Sequence, residues 1–281
     1  MTKRENERAM GRHHDPVRYW QDLTTVEAAE LAQMDPVAIL PLAAIEQHGP
    51  HLPLSTDVDI GRGILGAAFN RLPEDFPALA LPRQSVGASA EHEDFAGTLT
   101  IAPAALEEMI VSVGTSLATA GVGRLLISNS HGGNRAAIDT AALRLRQEYE
   151  MLIVKAHYFR FSRPDGVDLP DSEWSHGLHG GALETAMMLH LRPDLVRAEK
   201  IRAFPSFGQE LENTLTHLRP EGRASFAWSA NDLNAEGVVG DASLATADMG
   251  ERLVNHYGTV LAELVADTRN FPIDRLGQAG A

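Results

Sequence analysis

Val37-Ala38-Ile39-Leu40-Pro41-Leu42-Ala43-Ala44-Ile45-Glu46-Gln47-His48-Gly49-Pro50-His51-Leu52-Pro53-Leu54-Ser55-Thr56-Asp57-Val58-Asp59 is the stretch on which the fold turns. Its apolar half, Val37 to Ile45, has the length and β-branched content of a buried central strand rather than a surface helix. Acids and histidines follow at once, so charge sits at the strand's C-terminal end, where open α/β sheets bind their ligands. Glu46, His48 and Asp57 offer two hard oxygen donors and one imidazole, a set suited to Zn or Mn. The stretch reads as half of a metal site.

Outward from it, strand and helix patterns alternate. Apolar residues at Ile60, Ile64, Leu65, Ala68 and Phe69 predict a helix from Ile60 to Leu72. Phe76 to Pro82 reads as a second strand, followed by a Gly- and charge-rich loop, Gln84 to Thr100, that carries Glu91 and His92. Loops of that length and composition are uncommon unless functional. Ala104 to Ala120 is an amphipathic helix and Arg124 to Asn129 a strand. Ser130-His131-Gly132-Gly133-Asn134 then opens a helix reaching about Glu148, which puts His131 beside the first cluster if the sheet is parallel. Met151 to His157 is the next strand.

A third cluster, Glu173 to Leu189, holds His176, His179 and an acid, Glu184, at the start of an apolar helix. A carboxylate there is costly unless paired or coordinated. Of His176 and His179, one is expected to work on the substrate and the other to support it by hydrogen bonding. Lys200 to Asp241 is irregular and reads as a substrate-shaping lid or an oligomer contact, with a loosely packed surface segment as the alternative. Ala242 to Asp267 is a long helix. Thr24 before Val26-Glu27 predicts a capped helix near the start. The expectation is one three-layer α/β/α domain around a mostly parallel sheet over residues 16–268. A flexible arm, 1–15, with His13-His14, precedes it, and a peripheral tail, 269–281, follows.

Composition narrows the function. The chain has 281 residues, 44% of them hydrophobic, and a formal net charge of −14, which leaves no basic face for a nucleic acid. Without cysteine, disulfides and thiolate sites are excluded, and any metal rests on His, Asp or Glu. The N-terminus has no apolar signal core and no stretch is long enough to span a membrane, so a cytoplasmic protein is expected.

Glu46-Gln-His-Gly-Pro-His-Leu-Pro-Leu-Ser-Thr-Asp57, Phe95-Ala-Gly-Thr-Leu99, Asn129-Ser-His-Gly-Gly-Asn134 and His179-Gly-Gly-Ala-Leu-Glu184-Thr together resemble the signatures of the creatininase (creatinine amidohydrolase) family, from about Trp20 to about Leu264. The resemblance implies a three-layer α/β fold, a two-metal site holding Zn or Mn, and a hexamer. Carried over by position, Glu46 and His131 hold one metal, His48 the other, and Asp57 bridges both. Creatininase proper has an acid two residues after the histidine matching His131. Gly133 stands there in this chain, and Glu184 is the carboxylate expected to complete the site.

The implied chemistry is hydrolysis of a small cyclic amide or related C–N bond by a water that two divalent ions acidify. His179 is the expected general acid/base, with His176, Glu91 and His92 as alternatives. Two other functions stand beside it: ring-opening C–C hydrolysis of a cyclic polyol ketone of the oxidised-inositol (3-dehydro-scyllo-inosose) type, and a non-catalytic metal-binding assembly protein. Asp232, Asn231, His176 and Glu91 around the pocket would favour a polyol; Trp174 and Trp228 would favour a flat heterocycle.

Overall fold

The computed structural model describes residues 15–277. Most of the expected N-terminal arm, with His13 and His14, and the last residues of the expected tail lie outside them. Strands β1 (Val37–Leu42), β2 (Ala78–Ala80), β3 (Arg124–Asn129) and β4 (Leu152–His157) form one sheet in the order β2-β1-β3-β4. Every pairing is parallel, with Ile39 beside Ala80 and Leu126, and Asn129 beside Leu42 and His157.

All six residues of β1 are buried, as a parallel strand covered on both faces must be. Alternation divides them. Val37 and Ile39 pack with α2 (Thr56–Phe69), α6 (Ala182–Leu191) and α9 (Ala247–Asn270), whereas Ala38, Leu40 and Leu42 pack with α3 (Pro103–Thr119) and α4 (Arg135–Tyr149). The expected three-layer α/β/α architecture is therefore present.

Boundaries differ from the sequence reading where hydrogen-bonding groups intervene. Helix α2 starts at Thr56, whose hydroxyl donates to the Pro53 carbonyl, so Asp57 lies in its first turn rather than in the preceding loop. There its charge faces the positive end of the helix dipole. Strand β2 shrinks to three residues, where the Ala80 amide donates to Arg18 and Tyr19 bridges the edge. The Thr24 cap forms as expected: its hydroxyl accepts from the Glu27 amide ahead of α1 (Thr25–Ala32). The last helix begins at Ala247 because Thr246 caps it, accepting from the Met249 amide.

The irregular stretch is more structured than its sequence suggests. Strand β5 (Ala203–Phe204) pairs antiparallel with β6 (Gly240–Asp241), and the short helices α7 (Phe207–Thr214) and α8 (Ala230–Leu233) lie between them. α7 packs against α5 (Asp171–His176). No helix among the described residues is long and apolar enough to cross a membrane.

Candidate metal centre

The C-terminal ends of β1 and β3 bring Glu46, His48 and His131 together; the first turn of α2 adds Asp57, and the start of α6 adds Glu184. Asp57 divides its two oxygens. Oδ1 lies 3.4 Å from His48 Nε2 and Oδ2 lies 3.4 Å from His131 Nδ1. Glu46 Oε1 lies 3.2 Å from His131 Nδ1, and Glu184 Oε2 lies 3.8 Å from His48 Nε2. The donors thus fall into three overlapping sets: Glu46-Asp57-His131 and His48-Asp57-Glu184, which share Asp57, and Glu46-His48-His179.

These separations suit atoms sharing a cation better than atoms sharing a proton, since tetrahedral ligands about 2.0–2.2 Å from an ion stand roughly 3.4 Å apart. Glu46 and Asp57 are 1% and 2% exposed, yet both Glu46 oxygens, Asp57 Oδ2 and His48 Nε2 have no hydrogen-bond partner. Buried polar atoms left this way cost about 1–3 kcal/mol each, more when charged. The donor set fits a pair of divalent ions.

Backbone carbonyls fix the tautomers that such a role needs. His48 Nδ1 donates to the Glu46 carbonyl (3.1 Å), His131 Nε2 to Ala88 (2.9 Å) and His179 Nε2 to Gln47 (2.7 Å). Each ring therefore turns its other nitrogen, with its lone pair, inward. His92 is reversed. The Gln47 amide nitrogen, which also donates to the Gly237 carbonyl, donates to His92 Nδ1, so His92 Nε2 carries the hydrogen and presents it to Glu46 Oε1 at 3.5 Å. His92 thus faces Glu46 with a hydrogen rather than a lone pair.

Electrostatics give the same picture. Burial disfavours charge on His48, but Asp57, Glu184 and Glu46 outweigh it and hold the ring up at about 9; His131 is likewise raised well above its ordinary value by Glu46 and Asp57. Glu46 is driven down by His131, His92 and His179 against its own burial. Without an ion, the raised imidazoles supply the positive charge that the buried carboxylates require. His179, packed between a tilted His48 ring (4.2 Å) and a stacked His92 ring (4.3 Å), is lowered by burial and by His48, and its bare Nδ1 faces Glu46 Oε1 at 3.7 Å.

Of the remaining sequence candidates, Glu91 lines the cavity over the cluster, 3.7 Å from His131 Nε2 on the far side of that ring, and burial raises its carboxyl. His176 is not brought in: its Nε2 meets Glu212 on α7 at 2.9 Å and it does not line the cavity. The cavity, about 350 Å³, is walled by Tyr158, Phe159, Trp174 and Trp228, with Arg135 and Arg160 among its other lining residues.

Three contributors escaped the sequence reading. Tyr158 follows β4 directly and donates to Glu184 Oε1 (3.4 Å); its place at a strand end was the available signal. Gln47 sits inside the first motif. Glu173, 4% exposed, accepts from the Ala182 amide with one oxygen and the Asp241 amide with the other, both at 2.7 Å, which fixes the loop that presents His179. Glycine at 177, 181 and 240 makes room for that carboxylate, since a Cβ at any of them would come within 2.3–2.7 Å of it.

A family model described as creatinine amidohydrolase matches residues 21–265. This chain belongs to the creatininase family. It is 34% identical to the mycofactocin precursor peptide peptidase of Mycolicibacterium smegmatis over 86% of this chain and 89% of that one. It is also 30% identical to the creatinine amidohydrolase of Pseudomonas putida over 63% and 72%. Among solved structures, one described as creatininase Mn aligns with a TM-score of 0.70 at 26% identity, covering 91% of this chain and 99% of that one. A Zn-Zn type creatininase variant aligns at 0.68 and 26%, covering 90% and 98%. Creatininase-family relatives are named hydrolases, and this chain is a hydrolase of that family. The departure at Gly133 has a steric cause here: a Cβ would lie 2.2 Å from the Ala88 carbonyl oxygen and 2.5 Å from Glu91 Oε1 and His131 Nε2.

Proposed function

We propose that this chain is a dinuclear metal hydrolase of an amide C–N bond, with Glu46, His131 and Asp57 holding one ion and His48, Glu184 and Asp57 the other. The observation that carries the reading is the convergence of partnerless buried donor atoms around a shared Asp57. Two divalent ions there, Zn or Mn, would polarise a carbonyl oxygen and acidify a water.

The chain's own residues supply the rest. His179 Nδ1, kept free by the Nε2 bond to Gln47, accepts a proton from the attacking water and returns it to the departing nitrogen. An O–C bond forms, the C–N bond breaks, and a carboxylate and an amine leave. Trp174, Trp228 and Phe159 shield the site and favour a flat or aromatic substrate, whether a small cyclic amide or a peptide amide such as the relatives' names denote. The polyol set is not assembled: Asp232 caps α8 through the Ser229 amide, Asn231 bonds Asp94, and neither they nor His176 line the cavity.

Elemental analysis of dialysed protein, paired with turnover on cyclic amides and peptides, tests this. Close to two divalent ions per chain are expected, falling towards one in Glu184→Gln. His179→Ala should keep its metal and lose most turnover. Equal loss of both would remove His179 from the acid/base role, and failure to take up supplied Zn or Mn would end the metal reading.

A further inference from the structure

We infer that the substrate carries a free carboxylate and that Arg160, at the cavity wall, reads it. The inference rests on the amide hydrolysis proposed above and names the substrate class for that site.

Two arginines, Arg135 and Arg160, line the cavity and a third, Arg163, sits over the ring of the lining residue Trp174; two of the three are already engaged. Arg135 forms a two-pronged pair with Glu221 (2.8 and 3.3 Å) and also donates to the Gly132 carbonyl. Arg163 pairs with Asp171 at 2.7 Å and lies over the Trp174 ring. Arg160 is exposed, lines the cavity, and has no ion pair or side-chain hydrogen bond among the described residues.

Of the cavity's two lining arginines, Arg160 is the one without a counter-charge, in a chain whose net charge is −14. Its position is set by β4: Tyr158–Arg160 is a single 3-10 turn leaving that strand's end. The first residue of the turn touches Glu184 at the candidate centre, and the last faces the same cavity. One short turn therefore connects the candidate centre to the Arg160 guanidinium.

The cavity is chemically polarised as a result. Glu46, Asp57 and Glu184 converge at one end, and Arg160 contributes a fork-shaped donor elsewhere on the wall. A guanidinium matches a carboxylate through two parallel hydrogen bonds, which selects geometry as well as charge. A neutral cyclic amide leaves Arg160 unused. An N-acyl amino acid or a peptide with a free C-terminus places its amide at the cluster and its carboxylate on Arg160.

Calorimetry on the metal-loaded full chain tests this with N-acetyl amino acids, aromatic and aliphatic, each as free acid and as C-terminal amide. The free acids should bind at least about tenfold more tightly, a preference that Arg160→Gln abolishes and Arg163→Gln leaves intact. Equal binding of acid and amide, or no binding of either, overturns the inference. So does an acid preference surviving in Arg160→Gln, which would place the carboxylate on the metal centre. Absence of amide turnover with metals bound would instead count against the proposed hydrolysis, so the two failures are distinguishable.

Discussion

The strand-end cluster and the segment that covers it, from Ala203 to Asp241, solve opposite problems with similar residues. In the cluster, Glu46, His48 and Asp57 are almost fully buried and their inward atoms lack hydrogen bonds. In the cover, Glu212 pairs with His176 and Arg219, and Glu221 with Arg135, through carboxylates that are 54% and 37% exposed. Buried charge without partners is tolerable only where something else supplies the opposite charge. Exposed, paired charge contributes little to stability and leaves a segment free to move. On the proposed reading the cluster holds ions and the cover shapes access.

The largest expected break in this contrast comes from Asp57→Asn, which keeps the shape but removes the charge that faces both His48 and His131. One nitrogen would then point at a histidine lone pair that needs a cation. Metal content should drop below one ion per chain and turnover by about 10³-fold or more, equivalent to roughly 4 kcal/mol. A variant that retains both ions would mean that Asp57 does not bridge. The corresponding change in the cover, where each charge meets water, has no such lever.

Next in size is a stability effect with a defined sign. Without metal, His48 is held at about 9 and His131 is raised, both above the ordinary value near 6.5. The stability they contribute is complete below that unfolded value and is lost as pH rises through 9. His51 and His92, lowered by burial to about 4 and about 2, are neutral in both states above 6.5 and silent in this window. Metal-stripped protein should therefore lose about 2–3 kcal/mol between pH 6.5 and 9.5, roughly 5 °C or more in Tm. Metal-loaded protein should not. A flat alkaline limb in the stripped protein would show that the imidazoles do not stand in for ions.

How legible each region was follows from the same physics. Val37 to Leu42 announced a buried parallel strand because its two faces both meet helices, and the acids behind it announced a site because nothing else justifies burying them there. Glu46, His48, Asp57, His131 and Glu184 are brought together because each sits at the end of a strand or the start of a helix, positions that periodicity locates well. His176 shows the limit: three residues from His179, it lies on α5, which turns its ring toward α7 and Glu212. Glu173 was hidden because its partners are backbone amides at Ala182 and Asp241, which no side-chain pattern records. The cover was least legible, since β5 and β6 are two residues each and pair across 35 intervening positions.

The smallest expected effect lies in that cover and sharpens the contrast from its other side. Glu221→Gln removes one carboxylate from the pair with Arg135, leaving the guanidinium its bond to the Gly132 carbonyl. Because the pair is about one-third exposed on each side, its loss should amount to about 0.2–1 kcal/mol. Metal content and kcat should hold, while KM changes by a factor of about 2–5, and raising the salt concentration should shrink the difference between variant and parent. A loss of kcat comparable to that of His179→Ala would contradict the division proposed here, because it would make the cover part of the chemistry. A second free guanidinium also bears on Arg160: if Arg135, once released, strengthens binding of free acids relative to amides, both arginines face the same carboxylate, whereas an unchanged preference leaves Arg160 as its reader.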